Sequence, residues 1–237
     1  MMSVPILISQ GTEEPISVAD AGFNLRAADD GNSPPVYYEA ALIQRLIVAA
    51  REACERELEM SLVRKTYELS SDTFFARPSQ VGGRYATMVD LDPVSAFYGY
   101  SNPVPNSLNG FLFLPFGPVR QIVSVRYLDP DGVDQILPST DYRFSPYARQ
   151  PVLMPKYGGT WPAIRRDVDS VRVRYDVGFP SDDSPAQTVP EPILVAMHFL
   201  IGHWYTNREA IAESTKVFEL PLGVRDMLAK YRQSLGV

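Results

Sequence analysis

From Val36 to about Met60 the apolar residues return every three or four positions: Leu42, Leu46, Ala49 and Ala53 form one stripe, and Ile43, Ile47, Ala50 and Cys54 lie beside it. This spacing predicts a long amphipathic helix. Arg45, Glu52, Glu55, Arg56 and Glu59 take the remaining circumference, with Glu52 and Arg56 at the favourable spacing of four. Ahead of it, Ser17-Val18-Ala19-Asp20 is an acid-variant capping box that opens a short helix. The turn-forming run Asp29-Asp30-Gly31-Asn32-Ser33-Pro34-Pro35 separates the two. Residues 1–16 carry no sustained period and read as an extended arm.

Between about Leu62 and Val177 the period moves toward two, and proline, glycine and aspartate become the punctuation. Strands are predicted over Val63–Thr73, Phe111–Leu114, Val119–Leu128, Val133–Leu137, Tyr142–Ser145, Val152–Met154 and Val171–Val177. In the last of these Val171, Val173 and Tyr175 face a core while Arg172 and Arg174 face water. Helical spacing returns at Pro190 and runs from Ile193 to about Asn207, where apolar residues cover most of the circumference. Either that helix lies central in the subunit or a second subunit covers one side. A last helix, about Leu222 to Ser234, carries Val224, Met227, Leu228 and Tyr231.

The order of elements predicts an α+β fold: a helical framework formed by both chain ends, with an inserted antiparallel β-rich domain. The expected division is an arm over 1–16, a helical core from 17–62 and 186–237, and a β-rich insert over 63–185, within which 77–110 is a long irregular loop.

Composition narrows the function. The 237 residues are 45% hydrophobic and 21% charged, enough to bury a core without staples. One cysteine excludes an internal disulfide, and no CxxC or Cys/His cluster offers a metal site. The net charge of -6 draws no phosphate, so tight nucleic-acid binding is not expected. The opening MMSVPILISQ lacks the basic flank of a signal peptide, and no run approaches the roughly 20 apolar residues of a membrane span. Synthesis in the cytoplasm without membrane contact is the expectation.

Candidate chemistry is sparse. His198 and His203 sit five apart, about 140° around a helix, too far to share one metal. Asp129-Pro130-Asp131-Gly132-Val133-Asp134 has a calcium-loop look but Thr140 stands where the bidentate acid belongs, so a hairpin turn is expected. Asp90 and Asp92 beside Pro93 read as turn formers. Cys54, on an apolar helix face, reads as a small hydrophobe. No phosphate-cradling glycine motif or GxSxG elbow is present. No catalytic residue, cofactor or metal is expected. The aromatic residues Tyr85, Phe97, Tyr98 and Tyr100 of the irregular segment are candidates for a partner surface or a sugar.

One ordered set of motifs spans about Ile16 to Tyr231. It comprises the long helix closing on Glu55-Arg56-Glu57-Leu58, then Leu114-Pro115-Phe116-Gly117-Pro118-Val119, and the strand Ile122-Val123-Ser124-Val125-Arg126-Tyr127 with Asp131-Gly132. It continues with Asp141-Tyr142, Gly158-Gly159-Thr160-Trp161-Pro162, Val171-Arg172-Val173-Arg174-Tyr175-Asp176-Val177-Gly178, Val189-Pro190-Glu191-Pro192-Ile193 and Trp204-Tyr205-Thr206-Asn207-Arg208-Glu209. This series resembles the head-tail connector (adaptor) proteins of long-tailed bacteriophages and prophages. Segment 77–110 is the departure, being longer than usual for them.

The resemblance implies a non-enzymatic virion protein of the neck: a ring, commonly of twelve subunits, between the portal protein and a stopper or tail terminator protein, with DNA passing through its lumen. Subunit contacts are then expected at Leu42, Leu46, Ile193, Met197, Leu200 and Trp204. Portal contacts are expected at Phe218, Leu220, Leu222 and Tyr231, and neck or tail contacts at Tyr85, Phe97, Tyr98 and Tyr100. The competing readings are a carbohydrate-binding tail or baseplate protein using Trp161 and the tyrosine-rich loop, and a hydrolase using Asp90 or Asp92.

Overall fold

A computed structural model describes residues 5–27, 37, 39–74, 112–145, 151–165, 167–179, 188–207 and 222–232. The chain forms two compact units, one from Met1–Ser9 and Lys65–Val177, the other from Gln10–Arg64 and Gly178–Val237.

The helical unit contains α1 (Val18–Asn24), α2 (Ala40–Leu58), α3 (Glu191–Thr206) and α4 (Leu222–Ala229). The predicted capping box opens α1: the Asp20 amide donates to Ser17 Oγ at 3.0 Å, and the Ser17 amide donates to the Asp20 carboxylate. Of the two neighbouring stripes on α2, the one containing Ile43, Ile47, Ala50 and Cys54 turns inward, extended by Leu58. Leu42, Leu46 and Ala53 are half-buried, and Ala49 is exposed. The helix stops at Glu59, whose positive φ of 56° ends the hydrogen-bond ladder.

Helix α3 packs against α1, α2 and α4. Its Ile193, Ala196, Met197, Leu200 and Ile201 close the core with Val224 and Leu228 of α4 and with Ile16, Ala21 and Leu62. Helices from the two chain ends therefore pack together, as the pattern predicts. Two polar links reinforce this: Tyr205 donates to Glu39 at 2.6 Å, and Arg232 pairs with Glu59 at 3.1 Å.

A charged residue sits on the inward row of α2. The Arg51 side chain is 1% exposed; its Nε meets Glu14 at 2.8 Å, its Nη1 meets Glu55 at 2.8 Å, and its Nη2 lies 3.6 Å from Glu52. Glu55 also accepts the Leu62 amide at 2.8 Å. One guanidinium thus ties residues before α1 to the middle of α2, and its carboxylate partner holds the chain that leaves the helix. Burial by itself pulls the guanidinium pKa down, but Glu55, Glu14 and Glu52 together outweigh it and hold it above its ordinary value.

Among the described residues the β unit has two sheets. The larger runs β1 (Ile6–Gln10), β2 (Lys65–Ser71), β8 (Val171–Val177), β4 (Val119–Leu128), β5 (Asp134–Ile136); the smaller runs β3 (Leu112–Phe113), β7 (Val152–Pro155), β6 (Tyr142–Ser145). Lys65 lies opposite Val177 and Ser71 opposite Val171 in the antiparallel β2–β8 pair, and β4 runs antiparallel to β8 on its other side with two register shifts. The alternation along β8 is strict: Val171, Val173, Tyr175 and Val177 are buried and the residues between them are half-buried. They share one core with Leu69, Val125, Leu112, Leu114, Leu153 and Trp161. Strands β4, β6 and β8 have the predicted bounds. Strand β1 was not predicted; it falls within the stretch expected to be an arm.

Candidate functional site

Three of the six expected subunit contacts, Ile193, Met197 and Leu200, are enclosed by the chain's own helices and present no surface to a neighbour. The physical reason is that α1, α2 and α4 all pack against α3 and cover the side that carries these residues. Leu42 is half-buried, and Leu46 and Trp204 are half-buried against the same core. What α3 leaves outside is a narrower stripe, Val195 at 38% and Phe199 at 52% exposure, with open space above Gly202. These recur at helical spacing, so they form one line on the outer side, with half-buried His198 and His203 on its flanks. Phe23 of α1 is also largely exposed.

Tyr231 is half-buried against the helical core just beyond α4. Leu222 is the first residue of α4. Phe218, Leu220, Tyr85, Phe97, Tyr98 and Tyr100 lie outside the described residues, as do Asp90 and Asp92.

On the β unit, three arginines of the larger sheet are paired with acids. Arg174 pairs with Glu68 at 2.7 Å, while Arg172 and Arg126 share Asp134 at 2.8 and 2.9 Å. Asp176 accepts from Thr66 and from Gln121. Arginines held this way offer no positive stripe to a phosphate backbone. The sheet's first edge differs sharply. All five residues of β1 are exposed, with Ile6 at 62%, Leu7 at 47% and Ile8 at 46%.

Among the described residues, Asp129 and Cys54 are held by their own surroundings, and His198 is half-buried. Asp129 caps the β4–β5 hairpin: its carboxylate accepts the amides of Asp131 at 3.1 Å and Val133 at 2.9 Å and the Gln135 side chain at 2.9 Å. The Gln135 bond foremost, then those amides, hold its pKa below the usual carboxylate range. Gly132 takes the positive φ of 85° that this turn requires. Burial, helped by Glu55, pushes the Cys54 thiol up to about 12, which leaves no thiolate at neutral pH. His198 is held below its ordinary value by burial, with Asp20 opposing, and its Nδ1 is buried without a hydrogen-bond partner.

Trp161 is buried and stacks on Phe74 at 4.3 Å with the rings 4° from parallel, so its face is not open to a sugar. Tyr175, its hydroxyl pushed well up by burial, donates to the Pro115 carbonyl at 3.2 Å. Among the described residues no group of three or more His, Cys, Asp or Glu side chains is placed to hold a metal ion, and no helix is long and apolar enough to cross a membrane.

No protein-family model and no curated protein matches the chain. Solved structures do. A chain in the neck of an empty gene transfer agent (GTA) particle, computed with C6 symmetry, is 18% identical with a TM-score of 0.62, covering 100% of this chain and 97% of its own. A chain in the virion of a native GTA particle is 17% identical with a TM-score of 0.66, covering 99% and 98%. A chain in the neck of a native GTA particle, computed with C12 symmetry, is 17% identical with a TM-score of 0.58, covering 98% and 97%. The fold is thus shared with each of these chains over nearly the full length of both partners.

Proposed function

We propose that this protein is a structural subunit of the neck of a phage-like particle, a head-tail connector that assembles as a ring with the portal on one side and a stopper or tail terminator on the other. The observation that carries the reading is the whole-chain likeness to chains of GTA neck and virion structures. The residue chemistry supports it. Among the described residues, the Asp129 carboxylate, the Cys54 thiol and the Trp161 indole are committed to a turn and to cores, while apolar groups such as Phe199 and Ile6 are exposed.

In a ring each contact joins two different faces. One face in this proposal is the outer stripe of α3, Val195 and Phe199; the facing surface is the less buried row of α2, Leu42 and Leu46 beside exposed Ala49. The portal contact is assigned to Phe218, Leu220, Leu222 and Tyr231, and the tail-side contact to Tyr85, Phe97, Tyr98 and Tyr100. A net charge of -6 lets DNA pass without the counterion release that would hold it.

An acid at Leu200 would test folding rather than assembly, because that side chain is core. Phe199→Asp is the informative change. Half of a phenylalanine surface is about 100 Å², worth about 2.5 kcal/mol per contact, or roughly 70-fold in each association step. The variant should melt like wild type yet fail to form rings by native mass spectrometry and electron microscopy. Wild-type ring occupancy on portals would overturn the reading.

A further inference from the structure

Resting on the ring reading above, we infer that the larger sheet continues from one subunit into the next, with strand β1 of one copy adding to the β5 edge of a second copy. Among the described residues, the order β1-β2-β8-β4-β5 makes these two strands the opposite edges of one sheet. Natural proteins protect an open edge with charges, proline or bulges, because its unpaired amides and carbonyls recruit any available strand. Strand β1, Ile6-Leu7-Ile8-Ser9-Gln10, carries no charge and no proline, and its side chains are exposed on both faces. An isolated subunit would therefore present an adhesive strand to water.

The occupant follows from the other edge. At β5 the one charged side chain, Asp134, is drawn across the sheet face by Arg126 and Arg172 rather than standing guard outward. Val133 and Ile136 beside it are exposed, Ile136 at 63%. Both edges thus combine apolar side chains with an open backbone, and they are different surfaces of one molecule. A pairing of unlike edges repeats from copy to copy, which is the head-to-tail contact that closed rings need, whereas β1 pairing with β1 would stop at a dimer. Main-chain hydrogen bonds along an added strand supply affinity that depends little on sequence, and the flanking isoleucines and leucine supply apolar burial.

The experiment uses the full chain with Leu7→Cys, Ile136→Cys and the double variant Leu7→Cys/Ile136→Cys. Native Cys54 is fully buried, so wild-type protein is the unreactive control. A flexible bis-maleimide easily spans neighbouring strands, about 4.8 Å apart. The double variant is expected to give a ladder of covalent multimers reaching the closed ring on denaturing gels, and each single variant to stay monomeric. Dimers from Leu7→Cys alone would overturn the proposal in favour of like-with-like pairing. Rings seen by native mass spectrometry with no ladder would overturn the edge contact while leaving the ring standing. Cross-links appearing only in assembled particles, and only to another neck protein, would overturn it by naming a different occupant. Absence of rings and of cross-links, in solution and on portals, would overturn both readings. As an independent arm, Ile6→Lys/Ile8→Lys alters only exposed side chains; it should melt like wild type and need at least a tenfold higher concentration for half assembly, and unchanged assembly would refute the contact.

Discussion

Arg51 gives the sharpest test of how the helical unit is held. Its guanidinium is 1% exposed and meets Glu14 and Glu55, themselves about a tenth exposed, at 2.8 Å each. Replacing it with methionine keeps much of the side-chain volume and removes the charge. Two nearly buried carboxylates then face each other without a cation, and breaking a buried pair from one side costs about 3–5 kcal/mol. Against a typical domain stability of about 5–15 kcal/mol this is a large loss. Arg51→Met should therefore lower the urea midpoint strongly.

The cause is electrostatic rather than steric, and a double-mutant cycle separates the two. Glu14→Gln added to Arg51→Met removes one stranded carboxylate, so the double variant should be no less stable than the single one. Acid should also help Arg51→Met relative to wild type. Protonation removes the carboxylate charge that the missing guanidinium no longer balances, so the penalty shrinks as pH falls. If Arg51→Met costs less than about 1 kcal/mol, or if Glu14→Gln makes it worse, the buried network does not hold the unit in the way argued.

Two further tests concern backbone and pH. Gly178 has a φ of +94°, and a Cβ there would lie 2.0 Å from the Val63 carbonyl oxygen; Gly178→Ala should cost about 2–4 kcal/mol by thermal melting. Gly158→Ala, at positive φ but in open space, should cost only the backbone share. His198 is held below its ordinary value of 6.5 by burial, so the unfolded chain takes up its proton first and stability is lost as pH falls from 6.5 toward the lower folded value. The difference in urea midpoint between wild type and His198→Gln should therefore change with pH across that window; a constant difference would show that the ring is not desolvated.

Much of the fold was legible because most elements follow simple periods. The alternation of Val171, Val173 and Tyr175 against Arg172 and Arg174 is realised in β8, and Ser17 and Asp20 form the capping box their spacing announces. Periodicity could not say which of two adjacent α2 stripes turns inward, since Leu42, Leu46, Ala49 and Ala53 are as apolar as their neighbours; packing against α3 chose Ile43, Ile47, Ala50 and Cys54. It also hid Arg51, because a charged residue reads as surface until Glu14, far back in the chain, is known to meet it. Strand β1 escaped notice because five residues without alternation look like an arm, and only its pairing with β2 makes it a strand. Trp161 suggested a sugar platform; its stacking partner Phe74 is distant in sequence and invisible to any local pattern.

The same contrast explains why the assembly surfaces were harder to read than the fold. An over-apolar helix announces that something must cover it, but cannot say whether the cover is the same chain or another. Here the answer is divided. The chain packs α1, α2 and α4 against α3 and, among the described residues, leaves Val195 and Phe199 of α3 and Phe23 of α1 exposed. The β unit repeats the division: its sheet interior is closed by Trp161, Leu153 and Leu112, while apolar residues remain at β1 and around β5. In both units the residual apolar groups are too few to hold a fold and lie on outer surfaces where a modest area can be buried. Repetition makes modest contacts sufficient, since a ring closes only when every subunit is held on two sides and opening it breaks two contacts at once. On the proposed ring reading no deep interface is needed in any one place, and the short lines of exposed leucine, isoleucine, valine and phenylalanine on both units are surfaces of the size such contacts require.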